Sequence, residues 1–126
     1  MRVGVSRCGA GDVKVAPRHT LLAPTLLRSQ VLALLYAEAR SGQISRKEAS
    51  RRLDYLRALK VRLLGDRVLQ RVAWEIAQEL GCQDTFVAEY LALTKLRGDA
   101  LVTDSPELAE SARRVVTVVS MSALLV

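Results

Sequence analysis

The stretch QDTFVAEYLALTKLRGDALVTD, residues 83–104, predicts a helix that leads into a buried strand. Asp84 and Thr85 suit the start of the helix, because a short side-chain oxygen can accept a hydrogen bond from an unpaired N-terminal amide. Gly98 suits its end, since glycine tolerates the left-handed conformation in which many helices terminate. The apolar residues between them recur at helical spacing and predict one buried face: Phe86, Tyr90, Leu93 and Leu96.

The strand follows at residues 100–103, a short apolar run that is typical of a strand buried on both faces of a parallel sheet. Asp104 comes directly after it. Open α/β sheets place their ligand groups just beyond the carboxyl ends of their strands. We therefore expect the Asp104 carboxylate to lie at a functional edge of the sheet.

Two helices are predicted before this stretch. Pro24 suits the first position of the earlier one, because its missing amide would have no partner there, and Gly42 closes that helix. Its inward stripe is Leu27, Val31, Leu34 and Leu35. Ser45 and Glu48 form a capping box that opens the second helix, which ends near Leu59.

A further strand is predicted at residues 61–64, followed by a helix that Asp66 caps and Gly81 ends. Trp74 lies on the flank of this helix. Its apolar residues repeat every four positions and are expected in the core: Val68, Val72, Ile76 and Leu80.

The remaining elements complete an α/β pattern. Residues 1–5 predict an opening strand and residues 6–18 a loop, while Ser105 caps a helix over residues 107–113 and residues 115–119 form a last strand. Strands that alternate with helices need crossover connections, which make the sheet parallel. We therefore expect a single domain over residues 1–126.

Composition bounds the partners and the compartment. No apolar run approaches the roughly 20 residues that span a bilayer, so we expect no membrane segment and a cytoplasmic protein. Cys8 and Cys82 lack metal-ligand spacing and are expected to stay reduced. The excess of 19 Lys and Arg over 13 Asp and Glu gives a net charge of +6, which suits RNA or an acidic protein. Basic residues that only solvate helix faces are the alternative.

Two segments carry a resemblance to a known family. AEYLALTKLRGDALVTDSPELA, residues 88–109, resembles the C-terminal half of a PIN domain, the fold of metal-dependent nucleases that includes the toxins of VapBC toxin–antitoxin pairs. LLAPTLLRSQVLALLY, residues 21–36, resembles the first core helix of that family and its lead-in. The resemblance covers residues 20–126, whereas residues 1–20 diverge. It implies a three-layer α/β/α sandwich around a short, mainly parallel sheet.

The resemblance also locates a site, although the acidic residues of the family are replaced here. Its four acidic positions fall on Val5, Gln30, Val87 and Ser105, and the acid nearest to the first of them is Asp12. In the family these acids bind Mg²⁺ or Mn²⁺. A glutamine carbonyl can ligate a hard cation, but it brings no negative charge.

Two carboxylates lie close to the replaced positions. Asp84 precedes Val87 by three residues, on nearly the same helical face, and Asp104 precedes Ser105 by one. We therefore interpret Asp84 and Asp104 as metal ligands and, with Gln30, as the catalytic residues. The alternatives are a capping role for Asp84 and a turn role for Asp104. Glu89, on a different face of the same helix, is a further candidate.

Two functions follow as hypotheses. The first is a VapC-like endoribonuclease that depends on Mg²⁺ or Mn²⁺ and is neutralised by a cognate antitoxin. The second is a catalytically degenerate PIN-fold module that binds a protein partner or RNA without cleaving it. A homodimer is expected from Leu32, Tyr36 and Tyr55, which lie off the buried faces of the first two helices; tyrosines at the edge of the core, with their hydroxyls in water, are the alternative.

Overall fold

The computed structural model describes residues 2–5 and 19–124. The strands are β1 (Arg2–Val5), β2 (Thr20–Pro24), β3 (Arg62–Leu64), β4 (Ala100–Val102) and β5 (Val118–Val119). The helices are α1 (Leu27–Arg40), α2 (Arg46–Ala58), α3 (Arg67–Leu80), α4 (Phe86–Arg97) and α5 (Pro106–Ala112), followed by a 3₁₀ turn (Met121–Leu124). The predicted loop at residues 6–18, with Cys8 and Asp12, lies outside the described residues.

The described strands form one sheet in the order β3-β2-β1-β4-β5. Every neighbouring pair is parallel, with Val3 of β1 opposite Leu21 on one side and Ala100 on the other. The predicted α/β class with a parallel sheet is therefore confirmed, while the three-layer arrangement stays a prediction. Because the strands are parallel, all of their carboxyl ends lie at one edge of the sheet.

α4 is the centre of the hydrophobic core. It packs against α3 on one side and against β1, β2 and β4 of the sheet. Its middle turns are enclosed, so that Ala88, Leu91 and Ala92 are fully buried. The prediction of a single buried stripe is wrong at both ends of the helix. Tyr90 and Leu93 of that stripe are buried, but Phe86 is 53% exposed and Leu96 40% exposed, because the ends of α4 extend past the surfaces that cover its middle.

Gly98 ends α4 by a different route from the predicted left-handed turn. Its φ is −102°, which is extended backbone that any residue adopts. A Cβ at this position would lie 3.1 Å from the Thr94 Cα and 3.3 Å from the Thr94 carbonyl oxygen. The glycine is therefore favoured by the close approach of two backbone segments.

The start of α1 corrects a second prediction. Pro24 is the last residue of strand β2, and the helix begins at Leu27. Residues 21–24 are buried in the sheet, so this apolar run is a strand. It was not predicted because Pro24 also fits the first position of a helix, where proline is favoured. Leu27, Val31 and Leu35 are buried as predicted, whereas Leu34 is exposed.

α3 has the predicted ends but a rotated apolar face. Asp66 Oδ1 accepts a hydrogen bond from the Leu69 amide at 2.8 Å, and Gly81 ends the helix with a φ of +69°. The predicted row of four residues drifts around the helix by about 40° at each step, because 3.6 residues make a turn. Ile76 is buried and Val68 is exposed; the observed buried set is Leu69, Ala73, Ile76 and Ala77.

α2 begins as predicted, with the Ser45 hydroxyl accepting a hydrogen bond from the Glu48 amide at 3.0 Å. The Glu48 carboxylate does not return to the helix start. It accepts from the Arg51 guanidinium at 2.7 Å and from the Arg52 guanidinium at 3.0 Å. These hydrogen bonds, that of Arg51 foremost, lower the pKa of Glu48 to about 2.

In the described part of the chain, no helix is both long and apolar enough to cross a membrane.

Glu48→Gln is expected to destabilise the protein at neutral pH and to do so less as the solution becomes acidic. The folded-state pKa of Glu48 is about 2, below the ordinary 4.5. Its stabilisation is therefore fully present above the ordinary value and is lost as the pH falls towards the folded value. Urea unfolding at pH 7 and pH 3 measures the difference between the two proteins. Asp54→Asn, which removes an exposed ion pair with Arg57, is the matched control and should change little. A Glu48→Gln difference equal at both pH values would contradict the assignment.

Candidate functional site

A groove of about 740 Å³ opens where α1, α4 and α5 begin. α1 follows strand β2 and α5 follows strand β4, so the groove lies at the carboxyl edge of the sheet, near the point where the strand order reverses. Ligand crevices of open α/β sheets lie in this place. Its apolar lining includes Leu27, Val31, Leu34, Phe86, Val87 and Leu108, and its polar lining includes Gln30, Tyr90, Ser105, Glu107, Ser111 and Arg114.

Three of the positions that the resemblance assigns to acids meet in this groove. Gln30 comes from α1, Val87 from α4 and Ser105 from the N-cap of α5. The remaining position, Val5, is the last residue of β1 and lies opposite Val102 of β4. The chain therefore brings three positions that are distant in sequence into one groove, where they supply an amide, an alkyl group and a hydroxyl.

Gln30 is already hydrogen-bonded within the groove. The Tyr90 hydroxyl donates to its Oε1 at 2.7 Å and so occupies the amide oxygen. Tyr90 is 4% exposed and was predicted only as a core residue. One sequence feature could have placed Tyr90 in the groove. It follows Val87 by about one helical turn, so both side chains lie towards the same side of α4. Glu107 and Arg114 also line the groove, and neither was predicted from the sequence.

Asp84 and Asp104 are not among the residues that line the groove. Asp84 Oδ1 accepts from the Phe86 amide at 3.1 Å, in the turn that opens α4. Asp104 Oδ1 accepts from the Met121 amide at 3.0 Å and ties the loop after β4 to the 3₁₀ turn. Both carboxylates thus have backbone partners in turns, and their role as metal ligands stays a prediction. The N-cap of α4 is Thr85, and no side chain caps this helix with a hydrogen bond, so the predicted capping role of Asp84 is not observed.

The donor groups around the groove do not fit a magnesium or manganese site. Such hard cations are held mainly through carboxylate oxygens, and Glu107 is the carboxylate in the described lining. Among residues 2–5 and 19–124, no cluster of three or more His, Cys, Asp or Glu side chains is placed to hold a metal. Burial raises the pKa of Glu89, but this residue is not in the lining either.

The groove is instead suited to apolar contacts. Leu34, Phe86 and Val87 expose large hydrophobic surface at its walls. Glu107 and Arg114 add one charge of each sign to the lining. A concave surface that combines apolar contacts with polar groups able to fix orientation is typical of a binding site. The fold and this groove define a small α/β domain with a partly apolar groove at the carboxyl edge of its sheet.

Comparisons with known proteins bear on the fold. No family model matches the chain, and no curated protein matches it. Among solved structures, the chain is similar to PAE2754 from Pyrobaculum aerophilum, with 26% sequence identity and a TM-score of 0.64. The likeness covers 84% of this chain and 74% of that chain. It therefore extends over most of the α/β domain.

Proposed function

We propose that this chain is a PIN-like domain whose groove binds a segment of a protein partner and does not cleave RNA. One observation carries the proposal: Gln30, Val87 and Ser105 converge in the groove, and none of them is acidic. Phosphodiester hydrolysis by such a fold needs a cation to neutralise charge and to activate water. A lining with the single described carboxylate of Glu107 does not supply the ligands for that cation.

The partner that fits is the antitoxin of a VapBC-like pair, binding through an amphipathic segment. Leu34, Phe86 and Val87 would contact its apolar side chains. The net charge of +6 favours acidic residues on the partner and speeds their encounter. The exposed free thiol of Cys82 suits a reducing compartment and supports a cytoplasmic location.

The catalytic part of the proposal is tested with manganese and RNA. Calorimetric titration of the purified chain with Mn²⁺ is expected to give heats of dilution alone, and a fluorophore–quencher RNA incubated with Mn²⁺ is expected to stay intact. Binding at one site with micromolar affinity, together with RNA cleavage that Asp84→Asn and Asp104→Asn abolish, would establish the endoribonuclease instead. Retention of uncut RNA by the chain would favour a nucleic-acid partner over a protein one.

The binding part is tested with the protein encoded beside this gene as the probe. Val87→Arg is expected to weaken co-purification with it at least about tenfold, since a charge enters an apolar contact surface. Leu96→Arg is the matched control, because Leu96 is exposed on the same helix and lies outside the groove lining. Equal binding by both variants would place the partner elsewhere on the domain.

A further inference from the structure

A second and smaller cavity, of about 150 Å³, lies where helix α3 begins and helix α4 ends. We call it the α3–α4 cavity. Asp66 and Leu69 line it from the start of α3, and Leu93 and Arg97 line it from the last turns of α4. Its described lining shares no residue with that of the groove between α1, α4 and α5. A ligand of this cavity is therefore independent of what the groove binds.

The wall of the α3–α4 cavity is largely aliphatic. Leu69 and Leu93 contribute side chains that are 3% and 1% exposed. Val68 and Leu96 also line the cavity and are 47% and 40% exposed, so part of this apolar surface remains in contact with water. In another protein, an engineered cavity of about 150 Å³ lined by Leu, Ile and Phe binds benzene. The α3–α4 cavity thus has room for one aliphatic side chain of a ligand.

Two opposite charges line the cavity and do not neutralise each other. They are Asp66 and Arg97. In the part of the chain that the structure describes, the ion pairs join side chains of α1 and α2, so these two groups do not pair. Asp66 Oδ1 accepts a hydrogen bond from the Leu69 amide at 2.8 Å, which holds the carboxylate at the start of α3. Because a carboxylate has several acceptor positions, its second oxygen can still accept from a ligand.

This combination of groups favours one class of small molecule. A simple carboxylic acid would bind the Arg97 guanidinium but leave Asp66 without a cation, and a simple amine would do the reverse. A residue within a peptide chain carries neither charge on its backbone. A free α-amino acid has an ammonium group, a carboxylate and a side chain on one carbon atom, and its aliphatic members match the size of the cavity.

We propose that the α3–α4 cavity binds a free aliphatic α-amino acid of the size of valine or leucine. Arg97 donates to its carboxylate, Asp66 accepts from its ammonium group, and its side chain lies against Leu69 and Leu93. Both polar contacts are charge-assisted hydrogen bonds. Burial of the aliphatic side chain supplies the apolar part of the affinity.

Three ligands that differ in their charged groups test the proposal: L-leucine, isocaproate, which is leucine without its ammonium group, and isoamylamine, which is leucine without its carboxylate. Titration of the wild-type chain, followed by amide NMR shifts, is expected to show L-leucine binding in roughly the millimolar range. The shifts should be centred on Leu69, Leu96 and Arg97. Isocaproate and isoamylamine should each bind at least about threefold more weakly, the size expected for one solvent-exposed ion pair.

Two substitutions identify which protein group contacts which charge. Asp66→Asn retains a residue that caps helices equally well, and it is expected to abolish the preference for L-leucine over isocaproate. Arg97→Gln is expected to abolish the preference for L-leucine over isoamylamine. Lys95→Gln is the matched control, because it removes an exposed charge of α4 that lies outside the lining, and it should retain both preferences.

The comparison of the three ligands on the wild-type chain is decisive without the variants. Equal affinities for all three would reduce the site to apolar contact, and shifts centred on Phe86 and Val87 would place the ligand in the groove instead. Either result, or an absence of shifts with L-leucine at tens of millimolar, well above the expected range, would overturn the proposal. Val87→Arg, which tests the groove, is expected to leave L-leucine binding unchanged.

Discussion

Leu91→Ala is expected to lower the free energy of unfolding by about 3–5 kcal/mol, the range for removing a leucine side chain from a rigid core. Leu91 is 0% exposed in the middle of α4, where the sheet and α3 enclose the helix. Because the neighbouring side chains are fixed by the sheet and by α3, they cannot move far enough to fill the cavity that the shorter side chain leaves. Since small domains are stable by only about 5–15 kcal/mol, this one change removes a large share of the total.

Urea unfolding followed by circular dichroism measures that loss. Trp74 fluorescence is a poor probe, because its side chain is already largely exposed in the folded protein. Leu32→Ala is the matched control: the same atoms are removed from a side chain that is 57% exposed, and the expected change is within about 0.5 kcal/mol. Equal losses at the two positions would mean that α4 is not the centre of the core.

The helix and strand pattern was predictable wherever it depends on neighbours in the chain. Ser45, Asp66 and Ser105 each accept a hydrogen bond from an amide three residues ahead, and Gly81 has the positive φ that ends α3. Such interactions are complete within one helical turn, so their sequence signals are reliable. β4 was recognisable because a strand buried on both faces needs an uninterrupted apolar run.

The predictions of secondary structure and burial were wrong where contacts between distant parts of the chain determine the structure. Pro24 satisfies the rule for a helix start and equally well the end of a strand, and only the pairing of β2 with its neighbours distinguishes the two. Helical periodicity indicated that α1, α3 and α4 have apolar faces. It could not say where the covering surface stops, which is why Leu34 and Phe86 are exposed. Val68 is exposed for another reason, the drift of a four-residue repeat around α3.

The site was predictable only in part for the same reason. The hydrogen bond from Tyr90 to Gln30 joins residues 60 positions apart, and no local sequence pattern predicts it. Asp84 and Asp104 are close in sequence to Val87 and Ser105. Their side chains nevertheless accept hydrogen bonds from the backbone amides of Phe86 and Met121. These contacts depend on loop conformations that sequence spacing does not determine.

Gln30→Glu, Val87→Asp and Ser105→Asp together are expected to create a divalent cation site in the groove. The three positions line one groove, so the new carboxylates would converge there beside Glu107. Several converging carboxylates are what a hard cation requires. The Tyr90 hydroxyl, now 2.7 Å from the Gln30 oxygen, can donate equally well to a carboxylate and hold it in place.

The triple variant is also expected to fold. Gln30 and Val87 are exposed, and aspartate replaces Ser105 at a helix N-cap, where both residue types are favoured. Mn²⁺ titration by calorimetry should therefore change from no resolved binding to one site of about micromolar affinity, a gain of at least about 100-fold that corresponds to roughly 2.7 kcal/mol.

The matched control for this gain carries the same three added negative charges away from the groove, at Gln43→Glu, Ser50→Asp and Gln70→Glu, all exposed positions outside the lining. Both variants reduce the net charge from +6 to +3, so general attraction of cations is equal in the two. Binding by the triple groove variant alone would support the view that the wild-type groove lacks a cation because its acids have been replaced. Binding by both, or by neither, would mean that Gln30, Val87 and Ser105 do not share a site, and the proposed relationship of this groove to the PIN active site would have to be abandoned.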